Sequence, residues 1–407
     1  MTQRLYYTDS FLYDFEAEIT EVIPGERMAV VLDRTAFYPT SGGQVFDTGV
    51  LSANGAASRV TEVADDESGK ILHYMEAPST TLKRGEKVTG TIDAARRRDH
   101  MQQHSGQHVL SAAFIELFEM PTVSFHMGEE TCTIDLAAKA LNNDQIVKAE
   151  ARANEIVFEN RPVRIRFVSP DEARSLGLRK LPELEKDEMR LVEIEDFDLC
   201  ACGGTHVSQT SQIGAILIRK TEKVKQGIRV EFVCGERALR IARKDYATLT
   251  EAAALFSAHI YDVPQQIKKT LEDAKAAQKR QHALLEEIAE LRAAELSVTA
   301  QQRGKFKIVQ QVVADRDLTF IKLLAQKLTK FPGLLVLLGS TIAPAAVVFA
   351  RSTDVDADVS NLMKQAMAAV GGRGGGSKDL AQGGVSDPAR VAPLLEQIVS
   401  EMAAGAL

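Results

Sequence analysis

Two five-residue pieces, His104-Ser105-Gly106-Gln107-His108 and Cys202-Gly203-Gly204-Thr205-His206, constrain this chain more than anything else in it. In the first, two imidazoles stand four residues apart, which on a helix puts them on one face and lets both point at one metal ion. The second offers a thiolate and a third imidazole at the same spacing. Nitrogen and sulfur donors of this kind suit zinc, a borderline-soft ion. His104, His108 and Cys202 are the candidate ligands, with His206 a fourth or exchangeable one. The pieces lie about ninety residues apart, so only folding brings them together, and the site belongs in the core of a domain.

Before the first piece, from Leu12 to about Thr91, the pattern is of short strands separated by turns. Phe15 to Val22 alternates, Met28 to Leu32 is a compact apolar run, and Val88 to Ile92 alternates again. Such a series reads as a small antiparallel barrel or sandwich. It holds Thr35, then Phe37-Tyr38-Pro39-Thr40-Ser41-Gly42-Gly43-Gln44, where two glycines after Pro-Thr-Ser require a tight loop. That loop is either a hairpin connection or a place where a ligand approaches bare backbone.

Asp93 caps a helix that runs to about Phe118 and carries the first histidine pair. Gly106 costs that helix about 1 kcal/mol relative to alanine, and a glycine there points to something lying close against the backbone. A second helix over Asn143 to Phe158 follows, then strands at Arg164 to Val168 and Met189 to Ile194. The Cys202 piece is a loop because of its paired glycines. Ala215 to Ile218 and Ile228 to Val233 complete a mixed, mainly antiparallel sheet covered by the two helices. His100 and His126 lie near the motifs in sequence and are assigned surface or supporting roles.

From Glu236 the composition turns to alanine, lysine, glutamate and leucine, the mark of a long helix or helical hairpin. Runs at Leu334 to Leu338 and Ala345 to Phe349, with a helix over Val359 to Val370, outline a small α/β module. It carries Gly371-Gly372-Arg373-Gly374-Gly375-Gly376-Ser377-Lys378 and Gln382-Gly383-Gly384. Arg373 and Lys378 are candidates for phosphodiester contact, with a plain turn as the alternative, because the spacing of a P-loop is missing. The expected architecture is α+β in four parts: 1–91 barrel, 92–240 metal-binding α/β domain, 241–310 helical or coiled-coil segment, 311–407 C-terminal α/β module.

A net charge of −7 argues against a protein that coats nucleic acid through bulk positive charge. Local basic runs remain as footprints: Arg96-Arg97-Arg98, the stretch Arg219, Lys220, Lys223, Lys225 and Arg229, and the region of Arg373. Four cysteines in 407 residues do not make a disulfide framework, and without a signal peptide or an apolar run of spanning length the expected location is the cytoplasm, with no membrane partner.

The two histidine-bearing motifs resemble those of the editing domain of alanyl-tRNA synthetases and of freestanding alanyl-tRNA editing proteins. Phe37 to Gln44 is similar to the glycine-rich motif of the alanine branch, and Gly371 to Gly384 to the C-terminal module that alanyl-tRNA synthetases share with a phosphoesterase family. The likeness runs over nearly the whole chain. With no aminoacylation domain ahead of the barrel, it points to a freestanding editor of the long form, with 92–240 as the zinc-containing editing domain.

The resemblance implies hydrolysis of the ester linking a wrong amino acid, serine first and glycine second, to tRNA for alanine. A site that hydrogen-bonds a hydroxyl can discriminate by roughly four orders of magnitude, which a synthetase pocket for alanine cannot do against near-isosteres. It also implies zinc at His104, His108, Cys202 and His206, Thr35 as the sensor of the serine hydroxyl, Gln44 as a substrate-holding residue, and Gly42 and Gly43 lining the substrate. Zinc either activates a water or orders the pocket, and four protein ligands favour the second role. The absence of a glutamate after His104 argues against a peptidase. Two other readings stand beside this one: an RNA-binding protein with a closed structural zinc site, and an ester hydrolase of different amino-acid preference. The C-terminal third is expected to grip the tRNA body or to form a homodimer.

Overall fold

In the computed structural model the chain forms two compact units, Met1–Glu251 and Ala252–Leu407. The structure describes residues 1–25, 27–66, 68–76, 82–176, 178, 188–225, 227–303 and 306–403.

The first unit opens with β1 (Gln3–Arg4), β2 (Asp14–Ile23), β3 (Ala29–Leu32), β4 (Arg34–Thr35), β5 (Gly49–Ala53), β6 (Ala56–Asp65), β7 (Ile71–Met75) and β8 (Lys87–Ile92). Six of these close a barrel in the order β2-β3-β7-β6-β5-β8, every neighbour antiparallel. Period-two alternation in β2 and β8 sends Phe15, Ile19, Val88 and Ile92 inward, where Leu32, Leu51 and Val60 meet them; closure leaves no edge to cap. Outside the barrel, β1 pairs in parallel with β4 and fixes the backbone at Thr35.

Asp93 accepts hydrogen bonds from Ala95 and Arg96 and starts α1 (Ala94–Phe118), as its sequence predicts. Every residue from His100 to Phe114 is buried, so this helix is a central strut and not an amphipathic surface element. Then come β9 (Thr122–Met127), β10 (Cys132–Leu136), α2 (Asn143–Phe158), β11 (Val163–Val168), α3 (Pro170–Ser175), β12 (Met189–Ile194), β13 (Asp198–Ala201), β14 (Ile216–Val224), β15 (Gly227–Cys234) and α4 (Gly235–Leu255). The single mixed sheet expected from sequence is in fact two separate antiparallel sheets, β14-β15-β10-β9 and β11-β12-β13. Strands β9 and β10 were not legible; β9 exposes consecutive residues and so shows no alternation.

Arg97 corrects the reading of Arg96-Arg97-Arg98 as one basic footprint. It is fully buried, its Nη2 lying 2.5 Å from Asp47 Oδ2 and 2.6 Å from the carbonyl of Ala36, its Nη1 2.8 Å from that of Ser10. Asp47 in turn accepts from the Tyr38 amide at 2.7 Å. A buried charge is tolerated only when paired and hydrogen-bonded in this way. The pair pins α1 to the loop that bears Gly42 and Gly43.

The second unit contains α5 (Val263–Thr299), β16 (Gln301–Arg303), β17 (Phe306–Val313), α6 (Leu318–Leu328), β18 (Leu334–Ser340), β19 (Ala346–Arg351), α7 (Val359–Val370), β20 (Arg373–Gly376), β21 (Leu380–Gly384) and α8 (Val391–Ala403). Its sheet runs β16-β17-β18-β19-β21-β20, parallel only between β17 and β18. Leu334, Val336 and Leu338 face α5 and α6, while Leu335 and Leu337 face α7 and α8, which explains the unbroken apolar run. The glycine-rich stretch is a strand pair and not a loop. A Cβ at Gly374 would come within 2.9 Å of Met367, and one at Gly383 within 2.5 Å of the same side chain, so α7 seats its methionines where side chains would stand. Arg373 and Lys378 are exposed here.

Candidate metal centre

The fold brings together all four residues of the two motifs. His104 and His108 project from α1; Cys202 and His206 come from the loop after β13, and one donor atom from each lies within 4.8 Å of all the others. The cysteine sulfur is 3.5 Å from His104 Nε2 and 3.3 Å from His206 Nε2. A tetrahedron built with zinc's usual bond lengths has edges of about 3.3–3.6 Å. The two sulfur–nitrogen distances fall on these edges, and the four donors together could hold a metal ion.

Each imidazole is held by its far nitrogen. His104 Nδ1–H donates to Gln44 Oε1 at 2.8 Å, and His108 Nδ1–H to Asp198 Oδ2 at 3.2 Å. His206 Nδ1 lies 3.1 Å from Ser105 Oγ, which also accepts from the Val207 amide. Such bonds select the tautomer that leaves Nε2 free for coordination. Gln44 does more than orient one ring. Its Oε1 also accepts from the Thr205 amide at 3.1 Å and its Nε2 donates to Thr205 Oγ1 at 2.9 Å, tying the cysteine loop to the barrel.

Close packing leaves little freedom in this arrangement. A Cβ at Gly204 would stand 2.1 Å from the His104 ring, and one at Gly43, where φ is +85°, would stand 2.5 Å from the Phe125 carbonyl. The turn Ser41 to Gln44 closes on itself through two backbone bonds, and Gly43 accepts from the Met127 amide at 3.0 Å. Phe125 of β9 stacks on His104 with ring centres 5.4 Å apart. Gly42, at φ +58°, has nothing within 4 Å of where a Cβ would be. Gly106 explains itself as well: a Cβ there would lie 2.2 Å from Cys234 Sγ.

Burial opposes ionisation of the Cys202 thiol, but the His104 and His206 imidazoles outweigh it and hold the thiol well below its ordinary range. Burial pushes the His206 pKa down to about 3, against the pull of the Cys202 sulfur. His108 goes the other way: burial is overcome by Asp198 and Cys202, which raise it to about 10, so a metal ion binding there would displace its Nε2 proton.

Thr35 lies elsewhere, on β4, against the barrel strand β7 that bears His73. It is fully buried; its hydroxyl lies 2.8 Å from His73 Nε2 and accepts from the Phe37 amide at 3.1 Å. His73 Nδ1–H is spent on the Val30 carbonyl at 3.1 Å, so the Thr35 proton goes to Nε2. His100 is buried on α1 and His126 exposed on β9, both outside the cluster. Sequence reasoning missed Asp198, Ser105, Thr205 and Phe125. Ser105 and Thr205 sit inside the motifs, but nothing local in the sequence says that Asp198 or Phe125 will meet a histidine.

A closed barrel that delivers a glutamine to a three-histidine, one-cysteine cluster defines the class: an α+β protein with a donor set for a metal ion at its centre. A family model of class II (A) tRNA synthetases matches residues 3–96, one of the threonyl and alanyl tRNA synthetase second additional domain matches 189–230, and the DHHA1 domain matches 306–404. The alanyl-tRNA editing protein AlaX-L of Pyrococcus horikoshii is 31% identical over 395 residues, covering 95% of this chain and 95% of its own. The chain belongs to the family of alanyl-tRNA editing proteins. The alanine–tRNA ligases of Pyrococcus abyssi and Pyrococcus furiosus are each 32% identical across 98% of this chain, which spans 43% of their length.

Proposed function

We propose that this chain is an aminoacyl-tRNA deacylase that removes serine, and secondarily glycine, from tRNA for alanine. The observation that carries the reading is the cluster of His104, His108, Cys202 and His206, set beside the glycine-rich turn in a chain alike over 95% of its length to an alanyl-tRNA editing protein. We assign zinc to the cluster, with all four residues as ligands. Bound there, it would supply a fixed positive charge that polarises or orders an ester.

The chain's own groups do the rest. Gly42, with open space where a Cβ would stand, gives a terminal nucleotide an approach without a side chain, while Gly43 and Gly204 let Phe125 and the His104 ring pack against the backbone of the two loops. Gln44 and Thr35 have their polar atoms committed to protein partners, so their part in selecting serine is to hold the loops around the cluster in place. Exposed Arg373 and Lys378 and the rest of the second unit are assigned to the tRNA body or to a homodimer. Among the described residues no helix is long and apolar enough to cross a membrane, and with its cysteines free we place the protein in the cytoplasm.

The test is release of amino acid from serine- and alanine-charged tRNA for alanine, with Cys202→Ala alongside. Fast loss of serine, slow loss of alanine and an inactive variant are expected; equal loss of both would remove the serine assignment. The four-donor geometry favours one competitor, a closed structural zinc in an RNA-binding protein. That reading requires tight tRNA binding with no release, and a cobalt-substituted protein whose spectrum ignores a non-hydrolysable aminoacyl-adenosine analogue.

A further inference from the structure

The basic stretch Arg219 to Arg229 is sorted by the fold into paired and unpaired charges. Arg219 is taken by Asp245, Lys220 by Glu222 at 2.9 Å, and Arg229 by Asp135 at 2.7 Å. Lys223 and Lys225, at the tip of the β14–β15 hairpin, have no carboxylate partner among the described residues. The fold adds a third cation from a distant part of the sequence. Lys139, in the segment after β10, lines the same cleft of about 570 Å³ with Lys223 and Lys225, over Ala137, Ala138 and Gly227.

Gly227 shows why these lysines converge. At φ +153° its Cβ position falls 1.9 Å from the Leu136 carbonyl, so the hairpin tip lies directly on the chain leaving β10. Three ammonium groups with no carboxylate partner among the described residues, gathered on one concave surface of a chain of net charge −7, make a local attractor for anions. A floor of alanine and glycine cannot read bases. Lysine acts on phosphate as a point charge and without the planar fork of arginine.

The cleft is also within reach of the metal centre. Phe125, stacked on His104, registers with Ile134, Val230 and Thr221 in turn across the sheet, and Lys223 is two residues further along. Three strand spacings and two residue rises give roughly 16 Å.

We propose that Lys139, Lys223 and Lys225 form a phosphodiester-binding cleft that holds the RNA backbone while the acylated end occupies the metal centre. This rests on the deacylase reading. The cleft positions RNA without regard to sequence.

The experiment is binding of uncharged tRNA by the full chain and by the triple variant K139Q/K223Q/K225Q, across salt from about 50 to 200 mM. Loss of the three contacts should flatten the plot of log affinity against log salt by about 2–3 units, at roughly 0.7–0.9 per phosphate. The weakening should be uniform across RNA sequences, and the change in ester release should appear in KM. Equal slopes with unchanged metal content and circular dichroism would overturn the cleft. So would unaltered RNA binding with lost attachment to phosphatidylserine vesicles, which would assign the lysines to a membrane surface. Absence of ester release by the parent chain with the slope difference intact would sink the deacylase reading and leave the cleft standing.

Discussion

Gln44 makes contact with both halves of the metal centre, since one amide group touches His104 and the loop carrying Cys202 and His206. Removing it by Gln44→Ala should lower metal affinity 10- to 100-fold, the usual cost of losing a group that orients a ligand. Competition against a chromophoric chelator measures it, and unchanged affinity would mean that the ring is held by packing alone. Gly204→Ala should be worse, because its methyl would stand on the His104 ring; we expect a protein purified without metal. The four donors were legible in the sequence because two rigid spacings announced them. The groups that aim them were not. Asp198 meets His108 across ninety residues, a contact that exists only after two sheets and a helix have assembled.

At the level of elements, α1 yields a double-mutant test. Gly106→Ala would gain about 1 kcal/mol of helix propensity, yet its methyl would fall on Cys234, and overpacking costs typically 1–3 kcal/mol. The single variant should be destabilised in urea, and Cys234→Ala should restore much of the loss. The barrel makes a prediction about pH. Burial lowers the His73 pKa from 6.5 to about 4, so the unfolded chain takes the proton first. Stability from this residue is complete above 6.5, falls as pH drops, and levels off below about 4. By pH 5 the loss should reach about 2 kcal/mol, seen as a difference between the parent and His73→Gln in urea midpoints at about pH 7.5 and 5. The start of α1 was readable to the residue because a cap marked it at Asp93. Strands β20 and β21 were not, because glycines ordinarily demote a strand and the methionines that replace their side chains come from α7.

At the level of the whole molecule, the four donors and all that orients them belong to the unit Met1–Glu251. A fragment ending after α4 should fold alone and bind metal at the parent's stoichiometry, checked by elemental analysis and circular dichroism. A fragment that stays unfolded would show that the division is geometric and not energetic. The barrel and the α/β module at the C-terminus could each be read from alternation and apolar runs, while the order of strands within each sheet could not, since pairing is set by contacts distant in sequence.

The Arg97–Asp47 pair bears on how such a chain can change over generations. Either charge left alone in that interior costs about 3–5 kcal/mol, a large share of a domain's stability. A lineage that exchanges one partner must therefore exchange the other almost at once, or pass through ancestors that barely fold. The barrel and the helix that follows it are thereby inherited as one piece, and a recombination that imported a foreign barrel would have to bring its own aspartate.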